Sequence, residues 1–203
     1  MCYSIQAALA SNLFSEVMVS TDSEEIAAIA IKGGAKVPFY RSEENSNDFA
    51  GTADVIAEVI RCYRSIGTHY DIGCCIYPTA PFVSPAILEK GYNILTEKKF
   101  DVVFPVIRYS YPIQRSLRVY PDKKAEMLWP ENYYTRSQDL EPVYHDAGQF
   151  YWFDCNYILH SNKLFGDNVG IIEVSELMAQ DIDNEEDWKL AEIKFQLMQA
   201  NKK

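Results

Sequence analysis

In the stretch QDIDNEEDW, residues 180–188, Asp181 and Asp183 stand two apart around Ile182, with Glu185, Glu186 and Asp187 just beyond. An extended backbone sends side chains i and i+2 to the same side, so both carboxylates would face one way while Ile182 faces the core. Two acids on one side want a cation. Magnesium suits them, because it takes oxygen ligands, keeps several waters and bridges one or two carboxylates to substrate phosphates. The competing explanation is a helix start, with Asp183 as N-cap, Glu186 completing a capping box, and Glu185 and Asp187 near the positive helix end. Capping accounts for Glu185, Glu186 and Asp187 and leaves Asp181 unexplained.

Three further stretches carry polar groups where a strand gives way to a loop. STD (20–22) follows an apolar run and reads as a helix cap or as a binding loop. In RSEENSNDFAGT (41–52), Arg41 can reach a phosphate or base, and Thr52 supplies a hydroxyl at a helix start, where the positive end favours anions. In YPTAPF (77–82) two prolines stiffen the chain after a buried run and hold Thr79 in a fixed pose; a plain structural turn is the other reading.

Alternating elements must position these loops. Ile5, Ala8 and Leu9 share a helical face, EVMVS (16–20) reads as a short strand, and Thr21 with Glu24 forms a capping box for a helix carrying Ile26, Ile29 and Ala30. KVPF (36–39) reads as the next strand, 52–66 as a helix, DIGCCIY (71–77) as a buried strand, SPAILEKGYNIL (84–95) as a helix opened by Ser84 and Pro85, and FDVVFPVI (100–107) as another strand. This alternation predicts a mainly parallel sheet with helices on both faces, whose ligands bind beyond the carboxyl ends of the strands. The pattern breaks over about 108–145, where SLRVYPDKKAEML (116–128) suggests two short strands around a Pro-Asp turn within an aromatic inserted arm. It resumes with GQFYWFDCNYIL (148–159), a short strand at 168–174, and a closing helix with Trp188, Ala191, Phe195 and Met198 along one face.

Length and composition bound the function. At 203 residues one domain spanning 1–203 with a small excursion is expected, and 48% apolar against 24% charged residues is the balance of a soluble globular protein. A net charge of −10 argues against nucleic acid, whose binding needs a basic face. No segment approaches a membrane span, and Met1 is followed by neither a basic stretch nor an apolar run, so a cytoplasmic setting is expected. Five cysteines without a CxxC pair suggest core packing rather than a disulfide framework or zinc site.

Taken in order, the motifs resemble the cytidylyltransferases that activate nonulosonic acids, the CMP-sialic acid synthetase family, over nearly the whole chain. The matching segments are VMVSTDSEEIAAIAIKGGAKVPFYRSEE, YPTAPF, TRSQDLEPVYHDAGQFYW and DIDNEEDWKLAE. Of these, YHDAGQFYW is most similar to the branch acting on pseudaminic acid; sialic acid enzymes show Asn-Gly-Ala-Ile-Tyr there. The resemblance implies an α/β, three-layer Rossmann-like nucleotidyltransferase fold with a mainly parallel sheet and a small inserted dimerisation arm, working as a homodimer. It implies nucleotide contacts from Arg41 and Thr52, with which Thr79 is grouped, and Mg2+ held by Asp181 and Asp183. Tyr77, Arg136, Gln149 and Tyr151 would line the sugar-acid site, Arg136 clamping the sugar carboxylate. His145 and Asp146 read as a surface pair.

The implied substrates are CTP and a nonulosonic acid, and the implied products a CMP-sugar and pyrophosphate. The family also opens with a strand and a Gly-rich basic loop for the triphosphate, and no such segment follows Met1. The expectation is therefore a chain truncated relative to the family or read from too far downstream. Two alternatives accompany it: a non-catalytic dimerising or sugar-binding homologue, and another sugar nucleotidyltransferase such as one for 3-deoxy-manno-octulosonate.

Overall fold

The run VVFPVI is apolar without alternation, the mark of a strand covered on both faces. The computed structural model, which describes residues 1–200, builds it into the centre of the molecule, six consecutive residues being buried. In chain order the elements are α1 (Cys2–Ser11), α2 (Glu24–Lys32), α3 (Thr52–Ser65), β1 (Ile72–Ile76), α4 (Pro85–Lys98), β2 (Val102–Arg108), β3 (Leu117–Val119), β4 (Ala125–Met127), β5 (Tyr144–Asp146), β6 (Phe150–Asp154), α5 (Cys155–Ser161), β7 (Val169–Glu173) and α6 (Glu185–Ala200).

In the sheet, β6 lies between β1 and β2 and is antiparallel to both, β7 flanks β2 in parallel, and β5 pairs the far end of β2. Thus β1, β2 and β7 run one way, and β5 and β6 the other. The expectation of a mainly parallel sheet is corrected. The physical reason is the arm: Arg108 pairs with Tyr144 and Tyr109 N–H donates to Val143 O at 2.9 Å, so the chain re-enters where β2 ended and can only run back along it. EVMVS and KVPF are extended segments joined by a single parallel bridge, Met18 to Lys36, rather than strands of this sheet.

Strand alternation sorts the core into two layers. Val102, Phe104, Val106, Tyr151 and Phe153 face Ile56 and Ile60 of α3 and Ile158 of α5. Val103, Phe150, Trp152 and Ile172 face Leu88 and Leu95 of α4 and Ala7 of α1. The close approach of α4 depends on Gly91, since a Cβ there would lie 2.7 Å from the Trp152 ring, whose Nε1–H donates to Leu88 O at 3.0 Å. In α2 the buried face is Ala27 and Ala30; Ile26 and Ile29 are exposed.

Helix starts differ in detail from the expected caps. The N-cap of α2 is Ser23, whose Oγ accepts Ile26 N–H at 3.4 Å, while Thr21 is buried and its Oγ1 accepts Ser23 N–H. The N-cap of α6 is Asn184 rather than Asp183: Asn184 Oδ1 accepts Glu186 and Asp187 N–H, and Asp187 reaches back to Asn184 N–H at 3.2 Å. That reciprocal pair is a capping box displaced by one residue. On α6, Ala191 is buried and Phe195 lies against Tyr3 and Phe82, but Trp188 is exposed. The arm between β2 and β5 holds the β3–β4 hairpin and a concavity of 650 Å³ lined by Glu126, Met127, Leu128, Pro130, Tyr133 and Tyr134.

Candidate active site

Pro105 interrupts a central strand, where a missing N–H ordinarily breaks the ladder. Here the partner strand bulges opposite it. Three steps along β2, from Val103 to Val106, correspond to six along the partner, from Trp152 to Asp146, so three residues are extra. The Pro105 carbonyl accepts Ala147 N–H at 3.0 Å, and the N–H it lacks would have faced the same interval. Bulges re-aim side chains next to functional sites. This one turns the chain at Gly148, φ +61°, and brings its backbone against Asp181: a Cβ there would sit 3.0 Å from the Asp181 carboxylate.

From that turn a line of contacts crosses the carboxyl end of the sheet. Asp146 Oδ1 accepts Gly148 N–H at 2.9 Å, and Oδ2 accepts the Tyr151 hydroxyl. The Tyr151 ring meets the Tyr77 ring edge-on at 5.7 Å, and the Tyr77 hydroxyl pairs with Thr52 Oγ1 at 3.0 Å, at the first turn of α3. Tyr77 N–H donates to Gln149 O at 2.9 Å, which registers the YPTAPF turn on the bulge. Burial, and then the bond to Asp146, push the Tyr151 phenol far up, so it remains a donor and Asp146 an acceptor.

Asp181 is held above the usual carboxylate range. Partial burial is the first cause; the neighbouring charges of Asp183, Asp146 and Asp187 follow, and the Ile182 N–H opposes them. Three neighbouring carboxylates therefore act on Asp181, in a chain whose net charge is already −10. Such a group is relieved by a positive charge.

The expected residues separate into those brought together and those held elsewhere. Thr52, Tyr77, Tyr151 and Asp181 lie along the contact line; Asp183, two residues on, acts on Asp181 through its charge, while its N–H donates to Asp187 Oδ2 at 3.2 Å. Gln149 was expected to line the sugar-acid site, but it is 1% exposed and its Nε2 donates to Met178 O at 2.7 Å, so its carboxamide ties the bulge to the segment before Asp181. Arg41 is anchored through Nε to Ser20 Oγ at 3.1 Å and through Nη2 to Ser20 O, and its charge reaches Cys75 and Glu58. Thr79 is exposed in the turn closed by Ala80 N–H to Tyr77 O. Arg136 stands in the arm, paired with Asp139 at 2.7 and 3.1 Å and, among the described residues, not bonded to any other expected site residue.

Two residues of the site escaped the sequence reading. Asp146, read as half of a surface pair with His145, instead receives Tyr151 and Gly148; His145 is exposed against Tyr109. Its signal was Gly148 following a strand-like YHD, opposite a proline in a buried strand. The second is Lys194, buried on α6.

The fold is of the α/β class, a mixed sheet with helices on both faces. A solved structure of CMP:2-keto-3-deoxy-manno-octonic acid synthetase complexed with CTP shares the fold with a TM-score of 0.65 at 15% identity, over 98% of this chain and 87% of that one. Residues 1–193 match the cytidylyltransferase family, and the chain belongs to it. It is 34% identical over 195 residues to pseudaminic acid cytidylyltransferase of Campylobacter jejuni subsp. jejuni serotype O:2, covering 96% of this chain and 84% of that relative. It is 33% identical over 189 residues to N-acylneuraminate cytidylyltransferase A of Danio rerio, covering 93% of this chain and 43% of that relative.

Proposed function

We propose that the protein activates a nonulosonic acid, pseudaminic acid first among them, by transfer of CMP from CTP. The anomeric hydroxyl oxygen forms a bond to the α-phosphorus, the bond from that phosphorus to the bridging oxygen breaks, pyrophosphate leaves, and the hydroxyl proton passes to water. The observation that supports this reading is the approach of the Gly148 backbone to Asp181, next to the Asp146 carboxylate that accepts Gly148 N–H at 2.9 Å. Both substrates are anions, and an acidic cluster repels them unless a cation intervenes.

Among the described residues no group of three or more Asp, Glu, His or Cys side chains could hold a metal ion by itself, so the reading is of Mg2+ shared between two carboxylates and the substrate phosphates. Asp181 and Asp183 offer hard oxygen donors two residues apart, the charge of Asp183 acting on Asp181, and the missing side chain at Gly148 lets the backbone close on the Asp181 carboxylate, where a Cβ would stand 3.0 Å away. Asp181 and Asp183 would hold Mg2+, which would supply charge neutralisation to the phosphates and a lowered pKa to the attacking hydroxyl. The chain's own groups do the rest. Arg41, with two of its five guanidinium N–H groups bound to Ser20, has donors left for the nucleotide; Thr52 and the first turn of α3 offer a hydroxyl and a positive helix end beside it, and Thr79 an exposed hydroxyl. Tyr77 and Tyr151 form an aromatic wall for the sugar, braced from below by Gln149. Arg136, on the arm, is assigned to the sugar carboxylate of a second subunit's site, which makes the homodimer the working form. A cytoplasmic setting agrees with cysteines that are all free thiols among the described residues. No helix of the described residues is long and apolar enough to cross a membrane.

The test is incubation with CTP, Mg2+ and a panel of pseudaminic, N-acetylneuraminic and legionaminic acids and 3-deoxy-manno-octulosonate. Pyrophosphate and a CMP-sugar released fastest with pseudaminic acid are expected. Absence of turnover with every acid contradicts the reading, and preference for another acid moves its substrate.

A further inference from the structure

Lys194 is a charge inside the protein. It is 8% exposed, pairs with no carboxylate among the described residues, and is held below the ordinary lysine range by burial, which the nearby Glu176 charge opposes. Its three ammonium protons meet three neutral acceptors: Glu176 O at 2.8 Å, Ala179 O at 2.9 Å and Gln180 Oε1 at 2.9 Å. A buried ammonium is tolerated only when hydrogen-bonded throughout, so this arrangement fixes the segment that supplies the acceptors.

That segment, residues 176–180, has no sheet partner and leads directly into Asp181. It is held from two sides: Lys194 draws its carbonyls toward α6, while Gln149 Nε2 binds Met178 O and Ala179 is buried against Ala147 of the bulge. Because an ammonium only donates, it selects the oxygen of the Gln180 carboxamide, which turns Gln180 Nε2 toward Asp181 O at 2.9 Å and Asp187 Oδ1 at 3.4 Å. The ammonium is thus two hydrogen bonds from the Asp181 backbone.

We propose that Lys194 is the positioning residue of the cation site, setting through residues 176–180 and the Gln180 carboxamide where Asp181 presents its carboxylate to a divalent ion. The proposal rests on the reading of Asp181 as a cation ligand.

The experiment titrates the full chain with Mn2+ alone and follows the free-ion signal by electron paramagnetic resonance. Wild type, Asp181→Asn, Lys194→Met, Lys194→Gln and the control Phe195→Leu, which loosens α6 against Tyr3 and Phe82 and removes none of the hydrogen bonds to residues 176–180, are compared. Groups that orient metal ligands typically change affinity about 10- to 100-fold. Lys194→Met is expected to weaken Mn2+ binding about tenfold, Lys194→Gln less, and Phe195→Leu not at all even where its melting midpoint falls as far. If Asp181→Asn binds as wild type does, the cation site itself is wrong and this inference goes with it. If Asp181→Asn loses the ion while both Lys194 variants keep it, the site stands and the positioning role is overturned. Equal weakening by Phe195→Leu at equal loss of melting midpoint also overturns it, by making Lys194 a docking residue only. Should Lys194→Met not fold, Lys194→Gln carries the same comparison.

Discussion

The sheet and the arm draw on the same aromatic residues and treat them in opposite ways. In β6, Phe150, Tyr151, Trp152 and Phe153 are all buried, two to each face, because helices cover both sides of the strand. In the arm Tyr111, Tyr133 and Tyr134 stand in solvent, the last 92% exposed, because the arm's only sheet among the described residues is a hairpin of two three-residue strands with no helical layer over it. An aromatic ring is placed by what the topology sets against it, and Tyr133 and Tyr134 meet each other edge-on at 4.8 Å rather than a covering layer. Clusters of exposed aromatics of this kind fit a protein interface, in line with the dimer proposed above.

The largest expected effects test that contrast directly. Trp152→Ala should destabilise the chain by about 3–5 kcal/mol in urea unfolding, as buried aromatic truncations do. Tyr134→Ala should change the stability of the isolated subunit by no more than about 0.5 kcal/mol while lowering self-association in sedimentation. Equal losses from the two would erase the distinction between sheet and arm.

A second pair sharpens it within the sheet region. Gly148 and Gly67 both sit at positive φ, +61° and +81°, but a Cβ at Gly148 meets Asp181 and one at Gly67 meets nothing within 4 Å. Each substitution to Ala should cost on the order of 1–2 kcal/mol of stability from the backbone alone. Only Gly148→Ala should also raise, about tenfold, the Mg2+ needed for half-maximal pyrophosphate release. A rise in both variants would show that the metal response follows stability rather than the Gly148 contact.

The smallest effect lies away from both. Although partial burial alone would raise it, Glu16 is held below its ordinary 4.5 by hydrogen bonds from Lys36 and Tyr63. A lowered carboxylate contributes stability that is present above its unfolded value of 4.5 and lost as pH falls through its lower folded value. Glu16→Gln should therefore flatten the acid limb of the urea midpoint against pH and leave the neutral region nearly unchanged. An unaltered acid limb would assign acid unfolding to other groups.

Much of this was legible in the sequence where local rules suffice. β2 followed from an unbroken apolar run, α4 from Ser84 and Pro85, and α3 from its apolar spacing after Thr52. The direction of β6 was not legible, since alternation marks a strand without saying which way it runs; only the closure of the arm at Arg108 and Tyr144 decides that. At the carboxyl end of the sheet, Asp181 was singled out by residue type and Tyr77 and Tyr151 by the family resemblance alone; the two rings do stand together, and their binding roles are the proposal made above. Asp146 was not singled out, because its partners Gly148 and Tyr151 are brought to it by a bulge that exists only in the paired sheet. Lys194 left a fainter trace: it shares the apolar stripe of Ala191, Phe195 and Met198, a position where an ammonium must find internal acceptors.

The central claim is that Asp181 and Asp183, set by the bulge at Gly148, hold the cation that CTP needs. A crystal structure with CTP and Mn2+ tests it most directly through the anomalous signal of the ion. The account predicts one peak in direct contact with carboxylate oxygens of both residues and with the triphosphate. A peak away from them, or carboxylates turned from the nucleotide, would contradict it.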